Sequence, residues 1–373
     1  MAEPRTIPAS GSPVTSGADI WFLFYEKSGT LAKRFSGGVI QQTARLPKGS
    51  RVWASAGDGR GGLWVFDLRY AGEGALTSGN PIGLTHVPYA GRDEKPKLER
   101  VRLDWPGVEL SRVAPAPDGG VFAGITIADS VDFGKGRKIG APNERVDAVA
   151  MFDKEGSLAW VTPLPDLLPD RLESISASHD GTVYAQSVFR DGTGSRAVVT
   201  LDARGARAST RVIRLRDSTL LIAPHSFEGP RALDEGGWIA AGNLLNLDFG
   251  AGPLRGPAAS SAAVVAFDAQ GQPAWGRALD ETVLQAKALG NDGVLLTQPD
   301  ADHVRIQVIG AAGLLRWSAV LSVPERCLLA EQEWIMAPAS DAIRVGLQCR
   351  TYVEGDWTRD GPVLVAFADV SPL

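Results

Sequence analysis

The chain has 373 residues and a net charge of −5, with 38 Lys and Arg against 43 Asp and Glu. No basic stripe is present, so the electrostatic footprint of nucleic-acid binding is missing. Apolar residues make up 44% of the chain, enough to fill a core and exclude disorder throughout, and the 43 Gly and 24 Pro mark a fold dense in turns.

Residues 1–18, MAEPRTIPASGSPVTSGA, are rich in Pro, Ser and Gly and have neither a basic n-region nor an apolar h-region. They read as a flexible tether, of the kind left when a signal or lipoprotein leader has been removed, ahead of a single domain over 19–373. The apolar run 20–25, between Asp19 and Glu26, falls far short of the roughly 18 residues of a membrane span and reads as a strand. From there one pattern recurs: an apolar run, usually an Asp, a Gly-centred turn, and a second apolar run. The copies are 20–35 (IWFLFYEKSGTLAKRF), 63–72 (LWVFDLRYAG), 148–160 (AVAMFDKEGSLAW), 197–209 (AVVTLDARGARAS), 263–275 (AVVAFDAQGQPAW), 304–317 (VRIQVIGAAGLLRW) and 363–370 (VLVAFADV). Period-two apolar segments repeated at intervals of roughly 50 residues indicate a propeller or similar array.

Upstream of the later copies lies a second hairpin, with turns at Asp118-Gly119, Asp180-Gly181, Gly236-Gly237 and Asp292-Gly293 and weaker versions at 47–53 (PKGSRVW) and 338–344 (PASDAIR). Such dipeptides tolerate the positive φ that tight hairpins demand. The expectation is an all-β chain forming one β-propeller of four-stranded antiparallel blades, strands A to D. Six A–B hairpins give six blades, or seven if 71–106 conceals one. The C–D pattern outnumbers the A–B hairpins, which implies a ring closed by pairing the N-terminal segment with strands near Val363 and Ala368, hiding edges that would otherwise invite aggregation. Trp160, Trp275 and Trp317 are expected to pack between blades.

Cys327 and Cys349 lie symmetrically about residue 338, which would set them opposite each other on a hairpin and allow a disulfide. The alternative is two buried small apolar side chains. A bridge would imply maturation in an oxidising compartment.

A propeller brings its A–B and C–D turns to one face and its B–C and D–A connections to the other. The first set reads as uniformly short, and the second contains the long segments 128–147, 245–262 and 351–362, so binding is expected there. Trp357, Arg359, Asp360, Arg137 and Arg255 are the candidate ligand-binding residues, with Asp132, Glu144, Asp248, Glu354 and Asp356 as further carboxylates. The same residues also fit an ordinary solvated loop surface.

Two of the long segments share VDFGKG (131–136) and LDFGAGP (247–253), each about 20 residues before an FD-x-x-G turn. Here the chain resembles the repeat of secreted bacterial β-propellers of the seven-bladed type, frequent in surface lipoproteins, over 119–160 and 236–275. That resemblance implies the fold and an extracytoplasmic address, periplasmic or at the cell surface, but no reaction. FDAQGQPAW and FDKEGSLAW are also similar to the repeat of quinoprotein and outer-membrane-assembly propellers, although the Thr before the Gly and a vicinal Cys pair are absent.

His86, His179, His225 and His303 stand apart, with no His-x-x-x-His, Cys-x-x-Cys or Asp-x-Asp-x-Asp-Gly spacing, so no metal or other cofactor is expected. His179 reads as a solvated turn residue. No Gly-x-Ser-x-Gly elbow occurs, and GDGRGG (57–62) leads into a strand rather than the helix that cradles phosphate. The leading expectation is a non-enzymatic propeller presenting its loop-decorated face to a protein or glycan at the cell surface, with no nucleic acid and no transmembrane span. The rival is a carbohydrate-active hydrolase or lyase using that face or the axis, which would need two carboxylates roughly 5 to 9 Å apart.

Overall fold

A computed structural model describes residues 5–8, 14–16, 19–26, 29–36, 39–47, 50–69, 82–91, 94, 96–103, 105–134, 138–169, 172–188, 196–215, 227–243, 247–248, 262–323, 331–338, 343–350 and 362–370. Among them every regular element is a strand, and no helix is long and apolar enough to cross a membrane.

The strands form radial antiparallel sheets. Blade 1 is Val14–Ser16, Asp19–Glu26, Gly29–Ser36 and Val39–Arg45; blade 2 is Ser50–Gly57, Leu63–Arg69, Ile82–Val87 and Glu99–Leu103. Blade 3 is Val108–Pro115, Val121–Ala128, Arg145–Phe152 and Leu158–Pro163; blade 4 is Ser174–Ala177, Val183–Val188, Arg196–Leu201 and Arg207–Leu215. Blade 5 is Phe227–Ala232, Trp238–Asn243, Ala262–Phe267 and Pro273–Ala278; blade 6 is Thr282–Leu289, Asp292–Asp300, His303–Ile309 and Leu315–Ser322. Blade 7 is Glu331–Pro338, Ile343–Arg350, Pro362–Val370 and, from the other end of the chain, Arg5–Pro8. The innermost strands touch in this order, and that of blade 7 touches that of blade 1, so the ring is closed.

Six of these sheets have four strands and the sheet of blade 4 has a fifth, Leu247–Asp248, so the ring counts seven. The extra blade draws on 71–106, which supplies the outer strands Ile82–Val87 and Glu99–Leu103. Two copies of the sequence pattern play other parts: 20–35 folds as strands B and C of blade 1, and 63–72 begins as strand B of blade 2. A tight B–C turn at Gly29, φ 126°, looks in sequence like a C–D turn.

Closure follows the expected route. Arg5, Thr6, Ile7 and Pro8 pair with Val365, Leu364, Val363 and Pro362. Segment 1–18 thus contains two propeller strands, Arg5–Pro8 and Val14–Ser16, because the last blade has to be tied to the first. The hairpin of blade 7 pairs Pro338 with Ile343, which sets Cys349 opposite Gln332 rather than Cys327. Register is fixed by the turn, not by sequence symmetry about residue 338, so the expected facing arrangement fails. Cys327 lies outside the described residues.

The recurrent FD-x-x-G has a local cause. In blade 3, Asp153 Oδ1 accepts the amides of Glu155 (3.0 Å) and Ser157 (2.8 Å), and Gly156, at φ 78°, closes the turn onto the Asp153 carbonyl. Asp202 with Gly205 repeats this in blade 4, and Asp268 with Gly271 in blade 5. An Asp that caps its own turn and a Gly at positive φ make a one-residue bulge hairpin. The same Gly admits the neighbouring blade: the ring of Trp160 lies against Gly205 and that of Trp275 against Gly313, while Trp317 packs on the core shared by blades 6 and 7. All three Trp are inter-blade residues, as expected. A second series runs along strand B, where Trp21 Nε1 donates to Gly61 O (3.0 Å) and Trp64 Nε1 to Gly119 O (2.9 Å) in the next blade.

Two outcomes check this account. Deleting residues 1–13 removes the fourth strand of blade 7 and should cost about 3 kcal/mol or more of unfolding free energy, judged from four lost residue pairings; thermal unfolding unchanged by the deletion would refute the closure. Gly205→Ala puts a Cβ 2.6 Å from Trp160 at φ 81°, and should destabilise by about 2 kcal/mol in denaturant titration.

Candidate functional site

The described strand ends that bound 129–144, 244–261 and 351–361, the B–C connections of blades 3, 5 and 7, all lie on one face. The other face carries tight A–B and C–D turns, with one departure from the expected uniformity: residues 88–98 join strands C and D of blade 2. The candidate residues Arg137, Arg255, Trp357, Arg359 and Asp360, with Glu354 and Asp356, lie outside the described residues. The described strand ends that flank them all belong to the same face.

The part of 129–144 that is described is a folded motif rather than a ligand cluster. Asp132 Oδ1 accepts the Gly134 amide at 2.8 Å, and Val131 and Phe133 are buried, with the Phe133 ring 4.8 Å from Trp105 in the connection from blade 2. The second copy pairs differently: Leu247–Asp248 pairs with Arg214–Leu215 of the preceding blade, whereas Val131–Asp132 pairs with Lys138–Ile139 in its own connection. The DFG motif is a seam between neighbouring blades. Glu144 is an exposed turn residue.

At this end of the ring, carboxylates brace strands within single blades. Asp67 takes Arg100 at 3.1 Å, Asp147 takes the Thr126 hydroxyl at 2.6 Å, Glu173 takes Arg196 and the Gln186 amide, and Glu281 takes Arg305 and the Thr297 hydroxyl. Burial lowers the pKa of Arg196 from its ordinary value, as expected for a desolvated guanidinium. Each acid is matched by donors inside its own blade, and of the four only Asp147 stands at a strand end that bounds one of the long segments, 129–144.

Toward the axis, one hydrogen bond after another links neighbouring blades. Trp53 Nε1 donates to Leu110 O (2.8 Å), Arg112 Nε to Glu173 O (2.7 Å), the Ser174 hydroxyl to Gly229 O, Arg231 Nε to Ala286 O (3.0 Å), and the Met336 amide to Gln285 Oε1 (2.7 Å). Bulges at Trp53, Ser111 and Leu284 and between Glu228 and Arg231 aim these side chains sideways. Trp53 keeps 51% of its surface exposed on its inner strand. Sequence reasoning missed Trp53 and Arg112, since nothing in RVWASAG or ELSRVAP announces a bulge.

On the opposite face, Asp58 accepts hydrogen bonds from the Ser16 hydroxyl (3.1 Å) and the amides of Arg60 (2.7 Å) and Gly62 (2.8 Å), and pairs with His86 Nε2 at 3.0 Å. His86 stacks on Trp64, with centroids 4.3 Å apart. The acid stands between hydroxyl and imidazole, so no base touches Ser16 and nucleophile activation is not assembled. Nearby, buried Arg34 binds Asp19 (2.6 Å) and Ala90 O (2.9 Å), clipping loop 88–98 to blade 1. His179 is an exposed turn residue, His303 bonds Asp300 at 2.8 Å at the surface, and His225 lies outside the described residues. Among the described residues no three metal-capable side chains converge.

No family model matches the chain, and no curated protein matches it. Among solved structures, the WD40 domain of Toxoplasma gondii coronin aligns over 100% of this chain and 86% of its own, at 10% identity and TM-score 0.54. The polysaccharide lyase Uly1 aligns over 97% and 90%, at 7% identity and TM-score 0.52. BamB from Moraxella catarrhalis aligns over 97% and 98%, at 14% identity but TM-score 0.40, too low to argue from. At such identities the likeness is one of fold alone, and the class that fold defines is the β-propeller.

The Asp58 cluster makes acid stability testable. Burial raises its pKa, but His86 and the amides of Arg60 and Gly62 outweigh that and hold it below the ordinary 3.8. The folded state therefore binds fewer protons than the unfolded chain, so this stabilisation is complete above pH 3.8 and drains away as pH falls through the lowered value. Asp58→Asn should lose about 1–3 kcal/mol at pH 7 and show a shallower acid limb in denaturant titrations between pH 7 and 3.

Proposed function

We propose that the protein is a binding propeller that engages a protein or glycan partner through the face bearing the B–C connections, in the periplasm or at the cell surface. The observation that carries this reading is that the strand ends bounding 129–144, 244–261 and 351–361 all lie at one end of a closed ring. Long segments on a rigid scaffold vary and bind without disturbing the core beneath. The extracytoplasmic address rests on the repeat resemblance. Trp357 is the aromatic anchor of the proposed surface, with Arg137, Arg255, Arg359 and Asp360 as its polar contacts, because buried aromatic and Arg residues dominate interface energetics.

A carbohydrate-active enzyme on the same face is the second reading, favoured by the fold-level likeness to the polysaccharide lyase Uly1. A panel of immobilised neutral and acidic polysaccharides, followed by assays for new reducing ends and for the ultraviolet absorbance of eliminated sugars, separates the two: binding without turnover supports the binder, and turnover the enzyme. Trp357→Ala should weaken binding by more than about 1 kcal/mol and leave thermal unfolding nearly unchanged. His179→Ala, on the opposite face, is the control; if it impairs binding and Trp357→Ala does not, the working face is the other one.

A further inference from the structure

Arg112 differs from several arginines at the connection-bearing end of the ring. Arg100, Arg145, Arg196 and Arg305 each meet a carboxylate, on Asp67, Glu109, Glu173 and Glu281. Arg112 meets none among the described residues: Nε donates to Glu173 O at 2.7 Å and Nη1 to Ser111 O at 2.9 Å, while the Glu173 carboxylate is turned to Arg196 and Gln186. Main-chain carbonyls fix the guanidinium without neutralising it, which leaves a full charge and further N–H donors on an exposed side chain.

Trp53 is its neighbour across the blade boundary. The indole N–H is bonded to Leu110 O, two residues before Arg112 on the same inner strand, so its polar edge is satisfied while half the residue stays exposed. What it has left to offer is an apolar ring face. The bulges at Trp53 and Ser111 hold both side chains out of the blade core.

We propose that Trp53 and Arg112 form a contact site for the uronic acid residues of an acidic polysaccharide, the sugar stacking on the indole and its carboxylate taking N–H donors of Arg112. The inference rests on the reading of this face as the partner-binding one and names its ligand class. A uronate carries a flat face of C–H groups and a carboxylate rigidly attached to it, and so uses both halves of the site. A neutral sugar leaves the guanidinium unanswered, and an acidic peptide leaves the indole face unused.

Titration calorimetry of the full chain tests it, with galacturonate and alginate oligosaccharides as probes, dextran oligosaccharides as the neutral control and polyglutamate as the acidic-peptide control. The uronates bind, with affinity that falls as salt rises, and the controls do not. Arg112→Gln and Trp53→Ala each weaken uronate binding about tenfold or more, Arg112→Lys less, and Arg204→Gln on the opposite face not at all. Trp53→Phe keeps an apolar ring without the indole N–H, and should retain more binding than Trp53→Ala if folding of the latter is impaired. Absence of uronate binding, equal binding of either control, or binding untouched by both Arg112→Gln and Trp53→Ala overturns the inference. Loss in Trp357→Ala without loss in Arg112→Gln overturns it while leaving the binding face intact; loss only in Arg204→Gln overturns both.

Discussion

A ring of sheets has to solve the problem of its inner edges. Each innermost strand pairs with strand B on one side and has no strand partner on the side toward the axis, where unpaired backbone groups are costly if left dry. This chain meets the demand largely with side chains from the preceding blade: Trp53, Arg112, Ser174 and Arg231 each reach a carbonyl on the next blade, and Gln285 takes the Met336 amide. The bulges that turn these groups sideways cost a ladder pairing in their own blade and return a bond between blades. Closure then needs the N-terminus, because without Arg5–Pro8 the last blade would have three strands and an open edge.

The ends of the ring differ for a related reason. On the A–B and C–D end the turns are short, several capped by Asp with Gly at positive φ, and Gly205 and Gly313 double as seats for Trp160 and Trp275 of the neighbouring blade. Enlarging such a turn would unseat the aromatic. On the other end, carboxylates tie strands within blades 2, 3, 4 and 6, and the connection 129–144 packs against the neighbouring blade through Phe133 and Trp105. Apart from one loop, the long connections are bounded by strand ends at that end. Loop 88–98 is the exception, and it is tied down by Arg34, which also lies over the loop's Tyr89, and by Gln42.

Much of the fold was legible because its signals are local. Asp-x-x-Gly and Asp-Gly encode turns through interactions spanning a few residues, alternation encodes strands, and an imbalance of hairpins encodes a ring closed by its termini. The blade count was less legible, since 82–87 and 99–103 carry Arg, Lys and Pro between and within them and lack a repeat signature. The DFG motif was visible as a repeat, but its meaning was not: only the pairing of Leu247–Asp248 with blade 4 and the contact of Phe133 with Trp105 show it to be a seam.

The sequence by itself determined an all-β propeller, its Asp-Gly and Asp-x-x-Gly turns, the end that bears its long connections and the packing role of Trp160, Trp275 and Trp317. It misassigned the hairpins at 47–53, which joins blades 1 and 2, and at 20–35, which joins strands B and C. Tertiary structure decided the register that sets Cys349 against Gln332, the pairing of Asp58 with His86, and the juxtaposition of Trp53 with Arg112. The division has a physical cause. Turn and strand propensities act between residues a few positions apart, whereas Trp53 and Leu110 are 57 positions apart and meet only because a bulge and a blade boundary coincide.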